Sequence, residues 1–137
     1  MFQSDIAAVP ARDAMLVRFD TLSPHMTIGE SLEVLRHTQQ DDFPVVAEGR
    51  LEGMVSKNDV LTALAEMPRE ARIGEIMHRD FVQSDPATPL GVLLRLMEQH
   101  DKDAIPIVEG GRVVGLLSYD QVGRYHSLVS TGRGDSA

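Results

Sequence analysis

Apolar positions along this chain switch period several times, and each switch marks an element. Ile28, Leu32 and Leu35 recur four and three residues apart, the stripe of an amphipathic helix. Leu90, Leu93, Leu94 and Met97 follow the i, i+3, i+4, i+7 pattern and predict another. After each comes a short apolar run, "FPVV" from Phe43 and "IPIV" from Ile105. A tight turn, "AEGR" or "EGGR", then leads into "LEGMVS" or "VVGLLS", which predicts two β-hairpins. A further helix is expected from Ser56 and from Ser118. In the first, Val60, Leu61 and Leu64 form an apolar face, and Pro68 sets its end because proline disfavours helical geometry in the residue before it. Short extended pieces at 19–22 and 81–84 precede the turns "SPHMT" and "SDPAT".

These elements form two copies of one pattern. With Phe43 set on Ile105, every residue falls on a counterpart 62 positions on, without a gap from Met15 to Val122. Met15 meets Met77, Phe19 meets Phe81, Pro24 meets Pro86, Leu32 meets Leu94, Asp41 meets Asp103 and Pro44 meets Pro106. Identities on turn glycines and strand-flanking prolines together indicate an internal duplication. Each copy reads β-α-β-β-α. The expected organisation is repeat 1 over 9–67, a linker over 68–72, repeat 2 over 73–128 and a frayed, disordered tail over 129–137. One copy is too small to bury its own helices and sheet. The expected fold is therefore α+β (α/β-like), with two repeats packed sheet to sheet about a pseudo-twofold axis and two equivalent clefts between them.

Composition narrows the function classes. The 137 residues are 42% hydrophobic and 25% charged, ordinary for a globular protein. A formal net charge of −8 argues against nonspecific binding to nucleic acid or anionic lipid, and 4% aromatics is too sparse for a base-stacking platform. There is no cysteine, no secretory leader pattern and no run near the length of a membrane span. The expectation is a cytoplasmic protein that engages neither nucleic acid nor membrane. His25, His37, His78, His100 and His126 share no metal-ligand spacing, so no metal site is expected. No Ser sits in a G-x-S-x-G elbow, and "GGRVVG" is a hairpin rather than a phosphate loop, so catalysis is not expected. The Met residues read as core filler, and "RGD" from Arg133 as coincidence.

The stretches "GMVSKND" (Gly53–Asp59) and "GLLSYDQ" (Gly115–Gln121) share one frame and differ at its end. Ser-x-x-Asp and Ser-x-x-Gln are both readable as helix capping boxes, in which the Ser hydroxyl accepts from a backbone N–H three residues on and the last side chain reaches back to the Ser N–H. Ser118-x-x-Gln121 is the closer match to the usual S/T-x-x-E/Q form. A cap alone explains the frame and does not require a carboxylate.

The order of elements, with "FPVV" or "IPIV" ahead of Gly, two apolar residues and Ser-x-x-Asp, resembles a tandem pair of CBS (cystathionine β-synthase) domains, a Bateman module, over about residues 9–128. That resemblance implies a regulatory module without catalysis of its own and without a cofactor. Its regulatory ligand would be AMP, ADP, ATP or S-adenosylmethionine, bound in the inter-repeat cleft. It also implies a homodimer that signals to a partner enzyme or transporter. In the family the motif Asp contacts the ribose; Asp59 matches that position and Gln121 departs from it. A carboxylate accepts from two vicinal hydroxyls, whereas Gln offers one acceptor oxygen. Asp120 lies one residue early, on another helix face, and is no substitute.

By the same resemblance, the Asp59 cleft involves Met54, Ser56, Lys57, Asp41, Lys102, Asp103 and Ala104, with Ile73, Gly74 and Glu75 from the second repeat's leading segment. A degenerate second site gathers Ser118, Gln121, Leu116, Arg12 and Asp13. Asp41 and Asp103 beside a phosphate would be unfavourable unless offset by Lys57, Lys102 or Arg12. The alternatives are a ligand without phosphate or with positive charge, such as S-adenosylmethionine, or solvated loop acids that bind nothing. The competing function is a ligand-free module for dimerisation and protein interaction.

Overall fold

The computed structural model describes residues 6–136, with side chains described for 6–130. Residues 1–5 and Ala137, parts of the segments expected to lack a leader and to fray, lie outside the described residues, as do the side chains of the "RGD" stretch. The elements run α1 (Ala11–Ala14), α2 (Ile28–Arg36), β1 (Asp42–Ala47), β2 (Arg50–Ser56), α3 (Lys57–Glu66), a 3-10 turn (Ile73–Glu75), α4 (Leu90–His100), β3 (Ala104–Glu109), β4 (Arg112–Ser118) and α5 (Tyr119–Ser136). Two separate two-stranded sheets, β1-β2 and β3-β4, give the α+β architecture expected from the duplication.

In the first hairpin Ala47 pairs with Arg50, so the loop is the two residues Glu48 and Gly49. Both have positive φ, 51° and 80°, the geometry that matches the twist of tightly joined strands. Gly110 and Gly111 do the same in the second copy, at 59° and 80°. A bulge leaves Glu52 as an extra residue between Val45↔Gly53 and Val46↔Leu51. The leading pieces expected as strands shorten to single parallel bridges, Leu22↔Val45 and Ser84↔Ile107. Helix α3 ends at Glu66, where Met67 turns extended (φ −132°, ψ 157°) ahead of Pro68.

Where a frayed tail was expected from residue 129, the backbone continues as helix to Ser136. Continuing a helix already begun at Tyr119 needs no new nucleus, which is the costly step of helix formation.

The described chain divides into two compact units, and the division crosses the repeats. One unit holds the chain up to Val17, Val82–Glu109 and the chain from Val114 on; the other holds Arg18–Phe81 and Gly110–Val113. Each repeat's leading segment therefore packs with the body of the other repeat. In the second unit the core is Leu22, Ile28, Leu35, Phe43, Val45, Val55, Val60, Ala63, Ile73 and Met77. In the first it is Ala11, Ala14, Leu90, Leu93, Met97, Ile105, Ile107 and Leu117. Ile28, Leu35, Phe43, Val45 and Val55 have Leu90, Met97, Ile105, Ile107 and Leu117 as counterparts in the duplication, so one packing scheme is used twice.

Candidate functional site

The Asp59 site is assembled within the unit Arg18–Phe81. Ser56 ends β2 in extended geometry and caps α3: its hydroxyl accepts from the Asp59 N–H, and Asp59 Oδ2 accepts from the Ser56 N–H, both at 2.9 Å. The carboxylate thus lies in the first turn, where it also complements the positive end of the helix dipole. Its side chain is 30% exposed.

A second donor reaches the same oxygen. His78 Nε2 lies 3.1 Å from Asp59 Oδ2. His78 is held there through its backbone, which exchanges hydrogen bonds with Met54: His78 N–H to the Met54 carbonyl at 2.8 Å and Met54 N–H to the His78 carbonyl at 2.9 Å. Gly53 permits this approach. A Cβ at that position would stand 2.9 Å from the His78 carbonyl oxygen and 3.0 Å from two atoms of Met77.

Lys57, at the start of α3, donates its backbone N–H to the Asp41 carbonyl at 2.8 Å, and its ammonium lies 3.9 Å from Asp41 Oδ1. The cation expected to offset Asp41 is therefore beside it, in an exposed pair worth at most about 1 kcal/mol. Met54 is half-buried. Ile73 was expected at the ligand, but its side chain is fully buried in the core and its N–H is bonded to the Met26 carbonyl. Gly74 donates to the Pro24 carbonyl, and Glu75 accepts from the Arg72 N–H at 2.8 Å. From the second repeat's leading segment, the residue described against Asp59 is His78. Lys102, Asp103 and Ala104 belong to the other unit: Lys102 is half-buried, Asp103 exposed and Ala104 buried.

The degenerate copy has the same backbone frame with different chemistry. Leu16 and Leu116 exchange backbone hydrogen bonds as His78 and Met54 do. A Cβ on Gly115 would collide with the Met15 side chain, as one on Gly53 would with Met77. Ser118 accepts from the Gln121 N–H at a longer 3.3 Å, and a reciprocal bond from the Gln121 side chain is not among those of the described residues. The sequence favoured Ser118-x-x-Gln121 as the better box, yet the complete box is Ser56–Asp59. The shorter Asp side chain delivers an ionised oxygen to the Ser56 N–H, a stronger acceptor than an amide. Asp120 is engaged by Arg124, 2.9 Å away and one turn on. Arg12 and Asp13 are exposed on α1.

His78 is the residue that sequence reasoning passed over, because the histidines were weighed only as metal ligands. The duplication held the signal: its counterpart is Leu16, and it changes together with Asp59 to Gln121. Among the described residues no group of three or more His, Cys, Asp or Glu could hold a metal ion. No helix searched among them is long and apolar enough to cross a membrane.

A paired β-α-β-β-α scaffold with an Asp-bearing cap beside its second strand defines the class. The CBS domain model matches residues 11–66 and again 73–125. The chain belongs to the CBS domain family, as a pair. It is similar to the CBS domain-containing protein YhcV of Bacillus subtilis, 28% identical over 109 residues that cover 78% of each chain. It also matches short parts of longer enzymes, spanning 13% of one and 23% of another. The cytosolic domain of the Mg2+ channel MgtE, solved in complex with ATP, is 29% identical with a TM-score of 0.75, over 88% of this chain and 50% of that one. The CBS domain pair of protein MJ0100, solved with 5-methylthioadenosine and S-adenosyl-L-methionine, shares the fold at 24% identity and a TM-score of 0.76, over 85% of this chain and 98% of that one.

Proposed function

We propose that this chain is a regulatory module that binds an adenosine-containing ligand through Asp59 and passes its occupancy to a partner protein. The observation that carries the reading is the Asp59 carboxylate. Both of its described contacts fall on Oδ2, the side chain reaches solvent, and it occupies the motif position within a CBS pair. A free carboxylate oxygen suits a ribose hydroxyl. ATP in the MgtE domain supports the ligand class; AMP, ADP, ATP and S-adenosylmethionine are the candidates. Ser56, Met54 and Lys57 lie close to Asp59 in sequence, and Asp41 is drawn in through its pair with Lys57, so that both signs of charge are present. Ligand stabilises whichever state it binds more tightly, and a partner enzyme or transporter reads that shift, with a homodimer as the working assembly.

The test is a thermal-shift panel of AMP, ADP, ATP, NAD and S-adenosylmethionine, with GTP as control, on wild type and Asp59→Ala. A ligand at a hundredfold excess over its Kd stabilises the folded state by about 2.7 kcal/mol, several degrees in melting temperature. One adenosine ligand is expected to shift wild type and not Asp59→Ala, each judged against its own ligand-free melt. An equal shift in both proteins removes Asp59 from the site. The absence of any shift favours a ligand-free interaction module, the reading that the Leu16, Leu116 and Gln121 surroundings of the second copy support.

A further inference from the structure

Asp59 does not present a symmetric carboxylate. Oδ2 takes the Ser56 N–H at 2.9 Å and lies 3.1 Å from His78 Nε2. An ionised carboxylate only accepts, so in this contact Nε2 carries a proton. Two donors fill the lone pairs of Oδ2. No hydrogen bond to Oδ1 is described among the described residues. We infer that His78 is a positioning residue that leaves Oδ1 as the one acceptor for ligand, so that this site reads a single ribose hydroxyl rather than the vicinal pair. The inference rests on the adenosine-ligand reading above and sharpens it.

Geometry separates the two cases. Donors placed on the two lone pairs of one sp² oxygen, at ordinary O–H···O lengths, stand about 4 Å or more apart. The vicinal hydroxyls of a ribose are closer together than that, so gripping both requires both carboxylate oxygens. The His78 side chain is 54% exposed, and it is carried on an anchored backbone. That backbone is bonded on both sides to Met54, and Gly53 lets it approach. The same frame in the second copy presents Leu16 where His78 stands and Gln121 where Asp59 stands. The frame is common to both copies, and the His–Asp pair belongs to one.

The experiment is an NMR titration of the full chain with adenosine, 2′-deoxyadenosine and 3′-deoxyadenosine, on wild type, His78→Leu and His78→Gln. Leucine already occupies the counterpart position, and a Gln amide can still donate to Oδ2. In wild type, one deoxy analogue is expected to lose about tenfold or more in affinity and the other to stay within about twofold, the scale of one hydrogen bond to a charged group. In His78→Leu, Oδ2 is released and the two losses become equal; in His78→Gln the one-sided loss returns. Equal losses in wild type, or a one-sided loss that survives unchanged in His78→Leu, would overturn the inference while leaving the ligand class intact. No saturable binding of adenosine to wild type would overturn the proposed function, and this inference with it. Ring ¹⁵N shifts in the ligand-free protein check the pair independently: a proton on Nε2 is expected, and a ring protonated at Nδ1 alone refutes the contact.

Discussion

Single residues at equivalent places in the two copies show where local geometry and local chemistry disagree. Glu48 and Gly110 both open a two-residue hairpin turn with positive φ. For a side chain other than Gly that region costs about 1–2 kcal/mol, against about 0.5–1 kcal/mol of extra backbone entropy lost by Gly. Glu48→Gly is accordingly expected to stabilise the chain by roughly 0.5–1 kcal/mol, read as a higher urea midpoint at unchanged slope. A lower midpoint would mean that the Glu48 side chain offsets its own strain. The Asp59-to-Gln121 change was legible at this scale, and so was the Ser cap frame that the two copies share. The second contact on Asp59 was not, because His78 arrives through backbone pairing with Met54, 24 positions before it in the chain. Ile73 shows the reverse: an expected site residue whose side chain completes the core.

Among the elements, the helices differ most in how they begin. Thr27 and Glu30 form a complete capping box on α2, with Glu30 accepting from the Thr27 N–H at 2.8 Å and the Thr27 hydroxyl accepting from the Glu30 N–H at 3.0 Å. Hydrogen bonds from the Thr27 backbone and then its hydroxyl, with the Arg72 charge adding to them, hold the Glu30 carboxyl below its ordinary value of 4.5. A lowered carboxyl contributes stability that is present above that ordinary value and lost as pH falls through the lower folded value. Wild type should therefore lose more stability on acidification below pH 4.5 than Glu30→Gln, which keeps an acceptor at this position without titrating. Urea midpoints of both proteins at neutral and acidic pH check this; parallel losses would show that the exposed cap contributes nothing. The sequence pattern Thr-x-x-Glu carries this cap openly. It does not reveal that the Ser118 cap is only half made, since Gln121 fits the motif by type and its side chain still makes no described bond to the Ser118 N–H.

At the scale of the whole molecule, repeats and folding units are different objects. The core around Phe43 draws Ile73 and Met77 from beyond the linker, and every member of it falls between Leu22 and Met77. A fragment of residues 18–81 is therefore expected to retain more helical signal and amide protection than a fragment of residues 1–67, although the latter contains the entire first repeat. Losing two buried side chains of this size removes about 3–6 kcal/mol of burial. Circular dichroism and hydrogen exchange on the two fragments decide the matter, and a better-folded 1–67 would show that each repeat completes its own core.

The amino-acid sequence by itself determined the duplication, the two hairpins with their tight turns, the helix that stops ahead of Pro68 and the loss of one carboxylate between copies. All of these depend on periodicity, turn chemistry and capping among residues a few positions apart. Only the tertiary structure decided that each leading segment packs with the other repeat, that Ile73 belongs to the core, and that His78 shares one oxygen of Asp59 with the Ser56 N–H. Those outcomes depend on which distant surfaces bury best against one another and on where a close-approach glycine lets two backbones meet. No local period along the chain encodes such contacts, because their free energy comes from partners that the chain brings together only on folding.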